Sequence, residues 1–172
     1  AARRGNIQEL NDLISSNELI FEEIALEGDG DTPLHVACVG GHLEFLAEKV
    51  NPRGFSPLHI AAAQGNVKIA EELLKVGKHL CFVKGREGRI PLHCAIINGE
   101  LDVMKLLLSE SPESIEETTA QGETALHLAV KNNRIVALAE LKHLKQYEKV
   151  INCGDHKGNT ALHLASADKN FE

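Results

Sequence analysis

The chain has 172 residues, 43% of them apolar but only 3% aromatic, so its core must be built from Leu, Ile, Val and Ala, which suits packed helices better than a β-sandwich or barrel. Asp and Glu outnumber Lys and Arg by 25 to 18, for a formal net charge of −7, and such a chain repels phosphate backbones, so nucleic-acid binding is disfavoured. No apolar run approaches the ~18–20 residues of a membrane span.

At the start of the chain there is no charged-then-apolar leader, and no signal peptide is expected. Ala1-Ala2-Arg3-Arg4-Gly5-Asn6 lines up with Ala61-Ala62-Ala63-Gln64-Gly65-Asn66, which predicts a start inside a repeated unit whose second helix covers 7–16. A four-residue signature then recurs: Thr32-Pro33-Leu34-His35, Ser56-Pro57-Leu58-His59, Ile90-Pro91-Leu92-His93, Thr124-Ala125-Leu126-His127 and Thr160-Ala161-Leu162-His163. The first residues of these copies are 24, 34, 34 and 36 positions apart. Each copy has a Gly two residues before it (Gly30, Gly54, Gly88, Gly122, Gly158) and an Ala at its sixth position (Ala37, Ala61, Ala95, Ala129, Ala165).

Each part of the unit has a physical reason. The Gly allows a reversal with positive φ just before the helix. Thr or Ser can cap the helix N-terminus, and Pro suits its first turn. Ile90 has no capping oxygen, so that copy departs from the pattern. Small Ala lets neighbouring helices approach to ~8–10 Å. The first helices end at Gly40-Gly41, Gly65-Asn66, Gly99 and Asn132-Asn133, and amphipathic second helices are predicted over 67–76, 101–108 and, longer, 135–147. The first interval is ten residues short of the next, where a second helix belongs, so residues are expected to be missing between about Phe45 and Ala47. The last residues reach only just past the first helix of a sixth unit, and the chain reads as a piece of a longer protein.

These residues resemble the ankyrin repeat, a pattern of about 33 residues carrying T-P-L-H-x-A. The resemblance covers essentially the whole chain and implies an all-α ankyrin-repeat solenoid of stacked helix-turn-helix units with β-hairpin loops. It divides residues 1–172 into a partial first repeat at 1–29, repeats starting near 30, 54, 88 and 122, and a partial last repeat at 158–172. The stretches Asn51 to His59, Val83 to His93 and Gly122 to Asn133 also look like the plant ankyrin-repeat membrane proteins that carry a C-terminal PGG domain. That likeness implies the cytosolic repeat region of a protein acting in plant immune or stress signalling.

Little in the sequence reads as catalytic. Of nine histidines, His35, His59, His93, His127 and His163 belong to the signature, and stacking sets equivalent residues ~8–10 Å apart, too far to share a metal. They are expected to bond backbone and tie one hairpin to the next. His42 falls where the ankyrin consensus also uses His, and His79 and His143 have no clustered ligand partners. Cys38, Cys81, Cys94 and Cys153 form no metal or disulfide framework, read as small buried thiols, and point inside the cell. Cys153, Asp155 and His156 read as a solvated turn, Gly85-Arg86-Glu87-Gly88 as a hairpin tip, and Lys142, His143, Lys145 and Lys149 as a weakly basic helix end. No metal and no cofactor is expected.

Function is expected on the exposed positions of the stack, because the fold alone does not specify one. In the family this resembles, contacts usually lie on hairpin tips and on outward positions of the first helices. By register these include Arg53, Phe55, Arg86 and Arg89 on consecutive tips, expected to be neighbours beside Gln64, Ile97 and Asn98 of the helices, together with Lys131 and Asn132. Three arginines and a Phe on an acidic chain have the composition of an interface hot spot, suited to an acidic segment of a protein or peptide partner; the plainer reading packs Phe55 on its neighbour. The expected function is therefore a non-enzymatic, cytoplasmic protein-interaction module, on the cytosolic face of a membrane in the full-length protein and without membrane contact of its own. An accessory targeting domain of a larger enzyme, such as a ubiquitin ligase or kinase, and a small-ligand sensor using the groove remain open alternatives.

Overall fold

A Ser or Thr followed by Pro or Ala and an apolar run starts a helix, and a Gly or Asn eight or nine residues later stops it. The computed structural model of the chain describes residues 50–51 and 53–167. The expected helix over 7–16, the first signature with His35 and Cys38, and the region of Phe45 and Ala47 lie outside the described residues.

The first helices of successive units are α1 (Pro57–Gln64), α3 (Pro91–Asn98), α5 (Ala125–Lys131) and α8 (Ala161–Ala167). The second helices are α2 (Val67–Val76), α4 (Leu101–Glu110) and α6 (Ile135–Leu141), and α7 (Tyr147–Val150) is a single turn. α1 packs on α3, α3 on α5 and α5 on α8, while α2 packs on α4, so the chain builds two layers that run side by side. The first helices lie between neighbours: Pro57 to Ala62, Pro91 to Ile96 and Ala125 to Val130 are all buried. The second helices bury one stripe, as Ile69, Ala70, Leu73 and Leu74 do on α2 and Val103, Met104, Leu107 and Leu108 on α4. Ala61, Ala95 and Ala129 have no exposed surface, because a larger side chain there would push the first-helix layer apart.

The structure corrects three expectations. The long helix over 135–147 ends at Leu141, and the chain then turns through His143→Glu140, Leu144→Leu141 and Tyr147→Leu144 backbone hydrogen bonds before α7. The break seats Val150 in the core, 2% exposed, and lays α7 against the one-turn helix Pro112–Glu116. That one-turn helix and its counterpart Lys78–Phe82 follow the second helices and bury Leu80, Cys81, Ser114 and Ile115. They are too short to leave a helical period in the sequence. The hairpin loops carry no strand among the described residues. Each is a tight reversal closed by two backbone bonds, one from N–H to carbonyl across it (Asn51 to Phe55, Gly85 to Arg89, Thr119 to Glu123 and Asp155 to Asn159) and one back from the N–H of Gly54, Gly88, Gly122 or Gly158 to the carbonyl of the first residue. Lastly, Cys81 and Cys94 are buried, as expected of small core thiols, but Cys153 is exposed.

Helix ends follow the residue types. Gly65 and Gly99 take φ of 71° and 83° after α1 and α3, and after α5 the equivalent left-handed position is Asn133, at φ 53°. Asn tolerates this conformation but Gly adopts it freely. Asn133→Gly is expected to raise stability by about 0.5–1 kcal/mol, read as a higher urea midpoint at unchanged slope.

Candidate functional site

The signature histidines sit at the third residue of each first helix, where a side chain turns back over its own N-terminus. His59 Nδ1 accepts from the Ser56 N–H at 3.2 Å and from the Ser56 hydroxyl at 2.7 Å, and the Ser56 hydroxyl in turn accepts from the His59 N–H. His127 and His163 repeat the contacts to N–H and hydroxyl with Thr124 and Thr160. At Ile90 only the backbone half survives, with the N–H donating to His93 Nδ1 at 3.3 Å, as the missing capping oxygen requires. An imidazole that accepts at Nδ1 carries its proton on Nε2. That proton is donated to the next hairpin: His59 to the Arg89 carbonyl at 2.9 Å, His93 to Glu117 at 3.2 Å and His127 to Asn159 at 2.7 Å.

These rings are therefore structural. Burial pushes the His93 imidazole down to about 4, with the Glu117 hydrogen bond working against the shift and the positive Arg89 adding to it. Burial lowers His59 in the same way. Burial also holds the Cys94 thiol up at about 11, which leaves no thiolate for chemistry. Among the described residues no group of His, Cys, Asp and Glu could hold a metal ion. Nor is any helix among them long and apolar enough to cross a membrane.

The hairpin tips form a row, each tied to the next by one backbone bond: Arg86 N–H to Gly54, Ala120 N–H to Glu87 and His156 N–H to Gln121. This brings Arg53 and Arg86, both exposed, onto adjacent tips. Arg89 lies half-buried at the base of its tip, with Nε buried and without an acceptor. Phe55 is not a free aromatic surface. It is half-buried against the core, its ring edge-on to His59 with centroids 6.1 Å apart. Glu87 stands between the arginines, its carboxylate 2.5 Å from Arg89 Nη2 and 3.9 Å from Arg86 Nε.

The remaining candidates have their backbones at the other end of the first helices, about 12 Å from the tips for a helix of this length, although the Lys131 side chain reaches back toward its tip. Gln64 is exposed at the end of α1. Asn98 and Asn132 each donate their side-chain amide back into their own helix, to the Cys94 and Leu128 carbonyls at 2.9 and 2.8 Å. Ile97 is packed against the core, and its carbonyl accepts from Arg134 Nε and Nη2 at 3.0 and 2.8 Å. Lys131 pairs with the nearly buried carboxylate of Glu123, which also meets the Thr119 hydroxyl. The nine candidates thus fall into two rows, a basic row at the tips and a largely self-satisfied row at the helix ends. The sequence reading set Gln64, Ile97 and Asn98 beside the tip residues, but the length of α1 and α3 separates them, and the pairings of Glu87, Glu123 and Arg134, which decide what each row offers, had no signal in it.

The sequence had not indicated a cavity of about 310 Å³ between α5, α6, α7 and α8, lined by Leu126, Val130, Leu138, Tyr147, Ile151 and Leu162. It is apolar and not enclosed.

Compared with known families, the chain matches a model described as ankyrin repeats in three overlapping copies, over residues 1–82, 45–119 and 78–141. Among curated proteins none matches.

Proposed function

The chain belongs to the ankyrin-repeat family, and from that premise we propose that its row of hairpin tips receives an acidic segment of a protein partner. Ankyrin repeats are generally protein-interaction modules and are typically non-enzymatic. The observation that carries the proposal is the convergence of Arg53, Arg86 and Arg89 on two adjacent tips of a chain of net charge −7, with the buried Arg89 Nε still lacking an acceptor. The accessible guanidinium nitrogens on these tips offer an incoming carboxylate charge-assisted hydrogen bonds. Phe55 contributes a half-buried apolar floor beside them. The lower row, with its amides and Lys131 already bonded, is a weaker candidate for contact.

The parent protein we propose is a plant ankyrin-repeat membrane protein of immune or stress signalling, with these repeats on the cytosolic face. The stretches around Phe55, Arg89 and Thr124 support this reading by their likeness to that group. Its repeats would start near 30, 54, 88 and 122, between partial repeats at 1–29 and 158–172.

The test is capture of partners from plant cytosol and membranes by the full chain and by a variant carrying Arg53→Glu, Arg86→Glu and Arg89→Glu. A partner lost on reversal supports the tip site. A partner held equally well by both forms overturns it.

A further inference from the structure

We infer that Glu87 is an intramolecular stand-in for the acidic partner, its carboxylate occupying the Arg86–Arg89 pair so that binding proceeds by displacing it. This rests on the reading of the tips as the site of an acidic segment. Three observations carry it. First, among the four described tips the residues equivalent to Glu87 are Arg53, Gln121 and Lys157, so of these this tip alone sets a carboxylate on the site, while register gives the first copy a carboxylate too, in Asp29. Second, Glu87 does so from an unusual backbone: it takes φ 59°, and Asn133 is the other non-glycine with positive φ among the described residues. With Gly88 also at φ 68°, two consecutive left-handed residues form this tip, which a Glu adopts only against its steric preference.

Third, the pairing is incomplete. Glu87 engages Arg89 through Nη2 while Nε lacks an acceptor, and its contact with Arg86 is long at 3.9 Å. A carboxylate held close by both Arg89 Nη2 and Arg86 would make the stronger charge-assisted arrangement. Glu87 is also half-exposed, at 49% of its side-chain surface, and exposed pairs of this kind are weak enough to open. Glu123, the next carboxylate along the row, is held by Lys131 and Thr119 and does not compete for the arginines. Glu87 therefore acts as a filter: a lone weak anion does not displace it, and a segment with several carboxylates does.

The experiment measures binding of a fluorescein-labelled hexaglutamate peptide to the full chain at low salt, by anisotropy. Glu87→Gln and Glu87→Gly, the second matched to the left-handed backbone, are expected to bind about three- to fivefold tighter than the parent, the worth of exposed charge pairs of this kind. Glu113→Gln, an equal change in net charge at an exposed site on another element, is expected to shift binding by less than about 1.5-fold. The Arg86→Glu/Arg89→Glu variant should not bind. If that variant loses the peptide but neither Glu87 variant binds tighter than Glu113→Gln, the stand-in is refuted and the acidic-partner reading survives. If neither the parent nor the Glu87 variants bind hexaglutamate, the acidic-partner reading falls and the stand-in falls with it.

Discussion

Replacing His93 by Ala is expected to lower the unfolding free energy by about 3 kcal/mol, among the largest effects of any single substitution in the stack. The ring has no exposed surface and satisfies two groups at once, the Ile90 N–H on its own helix and the Glu117 carbonyl on the next hairpin. Its removal leaves both without a partner, each at about 1–3 kcal/mol, and opens a small void between two units. At this position no hydroxyl shares the load, since Ile90 stands where the other described copies have Ser or Thr. His163→Ala is the matched control: that ring meets the Thr160 N–H and hydroxyl but is exposed. Its loss should cost less than about 1 kcal/mol. Urea unfolding at pH 7.5 reads both values. Equal losses for the two variants would mean that the link to the next unit contributes nothing.

Acidification is expected to unfold the stack in a window set by the same ring. In the folded state burial holds His93 down at about 4, against an ordinary value of 6.5. Between these values the unfolded chain binds a proton that the folded chain refuses, so stability falls as pH drops below about 6.5 and goes on falling to about 4. Above that window the contribution is complete. Each tenfold loss of proton affinity on folding is worth about 1.4 kcal/mol, which sets a ceiling of about 3 kcal/mol for His93 alone. His59, lowered in the same direction, adds to it. Asp155 is held below the ordinary carboxylate range by its hydrogen bonds to Asn159 and Lys157, so whatever it contributes is lost only at lower pH. Urea midpoints at pH 7.5, 6 and 5 should decline in that order, and His93→Ala should flatten the decline. A midpoint that holds or rises toward pH 5 contradicts the mechanism.

The contrast between what could be read from the sequence and what could not is physical. Positions governed by local chemistry were legible: Gly54, Gly88 and Gly122 take the positive φ their register implied, Ser56 caps, Ile90 does not, and the histidines bridge units. Positions governed by what the neighbouring unit places nearby were not. The end of α6 at Leu141 depends on a seat for Val150 against the preceding unit, which the apolar spacing of 135–147 does not encode. Asn98 and Asn132 occupy contact positions by register, yet spend their amides on their own helices. The candidate basic patch was legible as three arginines; that a glutamate from the same tip already sits on two of them depends on one left-handed residue with no signature.

The histidine bridges also bear on how the chain is made. Each ring finds its acceptor carbonyl later in the sequence, 30 residues on for His59, 24 for His93 and 32 for His127. A nascent unit emerging from the ribosome therefore cannot complete its histidine bridge until the hairpin that opens the following unit has left the exit tunnel. At about 5–20 residues per second, that is a wait of roughly one to six seconds per unit. Assembly during translation thus proceeds as a ratchet, in which every unit is locked by its successor and the most recently emerged one is always the loosest.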